Sequence, residues 1–151
     1  MRVGTFLASV PVAREESGVA LRVIKASDRI DDTASGAMTR EAAISGTTTG
    51  ARQLWVGYVE LPPGVQSAVH HHGESETAIY VIGGRARFAS GDNLGDIQDA
   101  IAGDFVWVGP HDLHVEINLS DTEPVRMVVA RSTQEAIVVN VAPPEGWSPP
   151  T

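Results

Sequence analysis

The chain has no cysteine. That removes disulfides and thiolate metal ligands, and it says little about compartment. Lysine is almost as scarce: Lys25 is the only one, and the other basic residues are arginines. A lysine-rich patch for gripping phosphates is therefore excluded. No apolar run approaches the ~18 residues that a membrane-spanning helix needs. Positive charge is also outweighed, with a formal net charge of −8, so a nucleic-acid backbone would be repelled by most of the surface. These absences leave a small-molecule ligand as the expected partner, with no nucleic acid and no membrane, in a cytoplasmic protein. What is present is ordinary for a globular chain: 42% hydrophobic and 20% charged residues over a length of 151. That length fits one domain, and a domain of this size buries about two-thirds of its unfolded surface.

The start, Met1-Arg2 followed by apolar Val3 to Ala13, faintly resembles a signal peptide but is broken by Pro11. An N-terminal edge strand is the better expectation. Val19 to Ala26 is a short strand candidate, Asp28 to Thr33 a polar turn, and Met38 to Ile44 one or two helical turns. From there strands recur at short intervals: 53–61, 68–72, 77–82, 85–90, 97–101, 105–108, 114–118, 125–131 and 136–141. Turn residues such as Pro62-Pro63-Gly64, Gly83-Gly84, Gly91-Asp92-Asn93 and Gly109-Pro110 separate them. Many short strands with this punctuation predict an all-β sandwich or barrel. The Pro-rich stretch 143–151 reads as a surface tail.

The histidines carry the chemistry. His70, His71 and His72 are consecutive, and His111 and His114 follow a Gly-Asp-aromatic strand. Alternate side chains of a strand share a face. His70 and His72 can therefore point inward together while His71 points out. A turn at Gly73 would let Glu76 join them, and His114 would complete the set from a distant strand. If His114 faces in, so do Glu116 and Asn118; Glu116 then either orients a histidine, acts as a base, or makes a buried hydrogen bond. If Glu76 faces in, so do Ala78, Tyr80 and Ile82. Trp55, Tyr58, Tyr80, Phe105 and Trp107 are candidates to line an apolar substrate cavity, with core packing the plainer alternative. Arg40, Arg52 and Arg131 are candidates for holding an anionic group, or ordinary surface arginines.

The segment Gly64-x5-His70-x-His72-x3-Glu76-x6-Gly83 resembles the first motif of the cupin superfamily, and Gly103-x5 followed by His114-x3-Asn118 resembles the second. Where cupins often carry Pro-x-Gly, this chain has Gly109-Pro110-His111, which adds an imidazole near the barrel mouth. A looser likeness to small single-domain cupins covers about 37–141. The resemblance implies a double-stranded β-helix, or jelly-roll β-barrel, as a single domain over 1–151. It also implies one divalent metal ion per subunit on His70, His72, Glu76 and His114. Zinc is the first expectation, with Fe, Mn and Ni also suited to imidazole and carboxylate donors. Two coordination positions would stay open for water or substrate. His111 is either an entrance-loop histidine or a participant: a fourth imidazole, or a proton shuttle, with Glu76 moved to the outer sphere. Cupins usually dimerise, and the apolar Val3 to Val12 segment suits an exchanged strand in a homodimer.

The functional expectation is a metal-dependent enzyme acting on a small apolar or aromatic organic molecule. Its most specific form is an aldol-type polyketide cyclase, because stand-alone cupins of this size from arginine-rich, GC-rich genomes include such enzymes. His111 and Glu116 are the candidate catalytic residues. An Fe- or Mn-dependent dioxygenase and a non-enzymatic small-molecule-binding cupin are the alternatives; a phosphosugar isomerase is disfavoured by the lack of lysine.

Overall fold

The computed structural model describes residues 21–133 and 137–151. Its strands are β1 (Ile30–Asp31), β2 (Thr39–Ile44), β3 (Trp55–Leu61), β4 (His70–His71), β5 (Thr77–Gly83), β6 (Arg85–Ser90), β7 (Asp96–Ile101), β8 (Phe105–Val108), β9 (His114–Asn118), β10 (Val125–Arg131) and β11 (Val139–Asn140). They form two antiparallel sheets, ordered β1-β2-β3-β10-β5-β8 and β11-β4-β9-β6-β7. The architecture is all-β, and no helix among the described residues is long and apolar enough to cross a membrane.

Alternation drives the packing. Along β3 the residues Trp55, Gly57, Val59 and Leu61 are buried while their neighbours are half-exposed. On β10 the inward set is Val125, Met127, Val129 and Arg131. These meet Ala86 and Phe88 from the second sheet in one core cluster. Each fully buried large side chain contributes about 1.5–3 kcal/mol by leaving water, so this interface supplies much of the driving force. Gly57 is required here. A Cβ at that position would overlap the Trp55 indole and crowd the Glu41 carbonyl at 2.6 Å.

Two expectations change. Met38 to Ile44 is not helical: Thr39–Ile44 is strand β2, paired with β3 through Glu41↔Tyr58 and Ala42↔Gly57. Its inward residues Met38, Arg40 and Ala42 repeat every second position, a period that a helix would scatter around its axis. Residues 21–25 form no strand, and Leu21 and Val23 are exposed. The segment 143–151 is irregular and mostly exposed, as a surface tail should be, but it is tied down. Trp147 and Val141 pack on Val69, Leu94, Val115 and Ile117, and Arg87 Nη1 donates to the Thr151 carbonyl at 2.7 Å. The proposed edge strand at Val3 to Val12 lies outside the described residues.

On the exposed face of β6 and β7, Asp99 accepts hydrogen bonds from Arg85 (2.7 Å) and Arg87 (2.7 Å). These two bonds hold its carboxyl down at about 2. A depressed acid stabilises the fold above its unfolded pKa of ~3.9 and loses that contribution as pH falls towards the folded value. Asp99→Asn should therefore lower stability modestly at pH 7, where the pairing contributes in full, and flatten the acid limb of a stability-versus-pH curve between about pH 4 and 2, so that the two proteins converge at low pH. Denaturant midpoints across that range measure it; an unchanged acid limb would show the pairing to be energetically silent.

Candidate metal centre

His70 and His71 belong to β4, His72 follows it, and His114 opens β9, directly opposite His70 in the ladder. The pleat sends His70 and His72 to the interior, where both are 2% exposed, as is His114. One ligand nitrogen from each of these three rings lies within 4.8 Å of the others. His71 is turned the other way, and its Nδ1 accepts the Gly73 amide at 3.0 Å.

The three rings are held from behind. Nδ1 of His70 lies 2.9 Å from the Ala68 carbonyl, and Nδ1 of His114 lies 2.9 Å from the Asp112 carbonyl. A carbonyl only accepts, so each Nδ1 carries the proton and each Nε2 offers a lone pair. Nδ1 of His72 meets the Thr77 hydroxyl at 2.8 Å. Ser35 Oγ adds a contact to His70 Nδ1 at 3.2 Å. Gly36 makes that approach possible: its φ is +59, and a Cβ there would overlap the Ala68 amide. Burial is the main force lowering the proton affinities of His70 and His72. Around His72 the cations Arg131 and Arg40 add to it, whereas Glu116 partly opposes it at His70. Neutral imidazoles with anchored Nδ1 and inward Nε2 are what a divalent cation requires. The buried Nε2 of His114 has no hydrogen-bond partner at all, a cost that a bound cation would remove. The residues therefore fit a metal ion, and three imidazoles with a carboxylate nearby suit Zn, Fe, Mn, Co or Ni.

That carboxylate is Glu116. It is 4% exposed. Its oxygens lie 3.9 Å from His70 Nε2 and 3.6 Å from His114 Nε2. The Ser67 hydroxyl donates to it at 2.7 Å. Burial alone would raise the Glu116 acid, but His70, His114 and Ser67 outweigh it and hold the group below the ordinary carboxylate range.

Glu76 does not join the cluster; it is exposed. Thr77, Ile79 and Val81 are the inward residues of β5, so Ala78, Tyr80 and Ile82 share the outer face with Glu76. The Glu76 backbone is tied to Ser132 at 3.1 Å, which locks this parity. The fourth-ligand expectation for Glu76 is thus corrected: the inward position beside His72 belongs to Thr77. His111 also turns away. Its φ is +59 in the Gly109–Asp112 turn, and its Nε2 meets Glu74 at 2.8 Å on the surface. His111 therefore stands apart from the three-histidine cluster. Asn118 faces inward but is structural, its Nδ2 donating to the carbonyls of Leu61, Pro62 and Glu123.

The expected aromatic cavity divides. Trp55 is in the core, and Tyr58 lies against Arg29, whose guanidinium sits 4.4 Å from its ring. Tyr80 stacks on Phe105 on the outer face of β5 and β8. Phe105 and Trp107, with Phe88, line a cleft of about 310 Å³ that opens beside β7 and β8 and reaches His114. A second, much smaller void, about 10 Å³, is bordered by His70, His72, Glu116, Arg40 and Arg131. Arg40 and Arg131 are buried rather than on the surface, at 3% and 4% exposure. Arg52 is exposed. The sequence carried no signal for Ser35, Ser67 or the Asp112 carbonyl as partners of the site, because hydroxyls and carbonyls are common and only their placement matters.

The cupin domain family matches residues 57–131. No curated protein matches the sequence. Among known structures, a Klebsiella pneumoniae protein with a double-stranded β-helix domain is similar over 81% of this chain and 98% of its own, at 20% identity and TM-score 0.63. The Lactobacillus farciminis oxalate decarboxylase, in a formate complex, matches 76% of this chain at 19% identity and TM-score 0.66. The Bacillus subtilis oxalate decarboxylase, which has Mn(II) centres, also matches 76%, at 19% identity and TM-score 0.64. The chain spans only 34% and 30% of those two enzymes, so the likeness establishes the fold. Two facing antiparallel sheets and the match over residues 57–131 place this chain in the cupin family.

Proposed function

We propose that the protein is a metal-dependent enzyme whose small organic substrate binds through oxygen beside the histidine trio, with Glu116 moving a proton. The observation that carries this reading is the pairing of three anchored, inward imidazoles with one buried carboxylate that lies within 4 Å of two of them. A divalent cation held by His70, His72 and His114 would supply Lewis-acid polarisation of a carbonyl or enol oxygen. Glu116 stands within 4 Å of two of those rings, where it can accept a proton from a carbon next to that oxygen and return it later. Ser67 steadies the carboxylate by donating to it. The cleft of about 310 Å³ is at the lower end of small-molecule sites. Phe88, Phe105 and Trp107 on its walls can orient an apolar body.

Proton abstraction beside a carbonyl is also the first step of an aldol-type cyclisation. We retain a polyketide-like or other oxygenated aromatic compound as the finer reading, limited by the cleft to a small one. Zinc and manganese are the leading ions.

The test is solvent deuterium exchange at the central carbon of a simple 1,3-diketone, followed by proton NMR with the metal-loaded protein. Wild type should accelerate exchange. Glu116→Gln should retain the ion and lose about 10²–10⁴-fold of that acceleration. Equal exchange by wild type and Glu116→Gln would remove the proton-transfer role, and oxygen consumption in the same assay would move the protein to the dioxygenase class.

A further inference from the structure

We propose that Arg131 receives an anionic oxygen of the substrate, foremost a carboxylate, inside the barrel. This rests on the reading of the histidine trio as the reaction site and names the charge of what binds there. Arg131 ends β10 on its inward face and is 4% exposed. Its Nε and Nη1 are buried and have no hydrogen-bond partner. A guanidinium buried for the sake of the fold normally finds carbonyls or carboxylates, because an unsatisfied buried charge costs several kcal/mol. Arg131 borders a void that is also lined by His70, His72 and Glu116.

The site around the guanidinium is built. Its centre lies 5.2 Å from the Trp55 ring, and Trp55 is itself fixed by a 3.0 Å bond from Nε1 to Asp32. Stacking of this kind holds the plane of the guanidinium and leaves its N–H edge for a planar, two-oxygen acceptor. Arg40 lies over the same ring at 4.9 Å, adding positive charge. Glu116 shares the void without bonding to the Arg131 guanidinium: Oε2 accepts from Ser67 and lies 3.9 Å from His70 Nε2, and Oε1 lies 3.6 Å from His114 Nε2. Burial foremost, and then Arg40, lower the Arg131 pKa to about 9, which still leaves a cation at neutral pH. The void of about 10 Å³ has room for roughly one water. One oxygen of the substrate's anionic head fits the space as it stands, and the rest of the head group needs the neighbouring side chains to give way. The remainder must extend past the histidines.

Formate is the smallest carboxylate and serves as the probe. Carbon-13 line widths of labelled formate are followed against both the metal-free and the metal-loaded protein. Wild type should broaden the line in both forms. Arg131→Gln should weaken formate binding about 10–100-fold, the range for losing a charged hydrogen bond, while cation content stays the same. Arg131→Lys keeps the charge without the two-pronged geometry and should fall between. Absence of broadening with wild type, or binding by Arg131→Gln equal to wild type, overturns the proposal. If Arg131→Gln does not fold, Arg131→Lys decides, and binding equal to wild type again overturns it. Failure of the underlying metal reading looks different: wild type would hold no cation yet still bind formate through Arg131.

Discussion

Replacing His114 with alanine should empty the metal centre, whereas Glu76→Gln should leave it filled. Elemental analysis after dialysis against each candidate cation reads the difference: near one ion per chain in wild type and in Glu76→Gln, near none in His114→Ala. The asymmetry follows from geometry. His114 presents a buried, unpartnered Nε2 to the cluster and is aimed by the Asp112 carbonyl, whereas Glu76 sits in solvent on the outer face. Loss of a ligand should exceed the ~10–100-fold in affinity that loss of an outer-sphere partner costs. Thr77→Val, which removes the hydroxyl behind His72, should fall in that smaller range and so calibrates the scale. If Glu76→Gln emptied the site as thoroughly as His114→Ala, the assignment of β5 parity would be wrong.

Trp55→Ala should be the most damaging single change to stability, at about 3–5 kcal/mol. Trp55 is fully buried in the core cluster and spans the interior above Gly57, which has no side chain to compete for the space. Removing the indole leaves a cavity, abandons the Asp32 carboxylate it donates to, and takes the supporting ring from Arg40 and Arg131. Urea midpoints measure the cost. Trp55→Phe keeps much of the volume and should lose less, about 1–2 kcal/mol, near the range for size-changing core swaps. A loss below ~1 kcal/mol for Trp55→Ala would mean that the core closes around the gap and that the tryptophan is dispensable to the fold.

Much of the architecture could be read from spacing. Period-two burial and glycine-punctuated turns are local properties, so β3, β5, β6, β8, β9 and β10 fall where alternation places them. Inward placement of Glu116 followed from His114 by the same rule. The rule was blind where both faces of a strand are apolar. On β5, Thr77, Ile79 and Val81 alternate with Ala78, Tyr80 and Ile82, and hydrophobicity alone does not say which set is inside. A one-residue choice there moves every side chain to the other face, and it carried Glu76 and Tyr80 with it. Thr39–Ile44 failed for a related reason. Ala42, Ala43 and Glu41 favour helix intrinsically, and only pairing with β3 makes the segment a strand.

Composition and order along the chain determined that this protein is a β-sheet protein with imidazoles from two motifs able to meet inside it. Those are one-dimensional facts, because strand periodicity and turn chemistry act over a few residues. Tertiary structure decided the rest. It selected Glu116 over Glu76 as the acid beside the histidines, sent His111 to the surface, and put the charge of Arg131 into the interior. Each of those choices depends on which face of one sheet meets the other, and that is settled by packing between residues far apart in the chain.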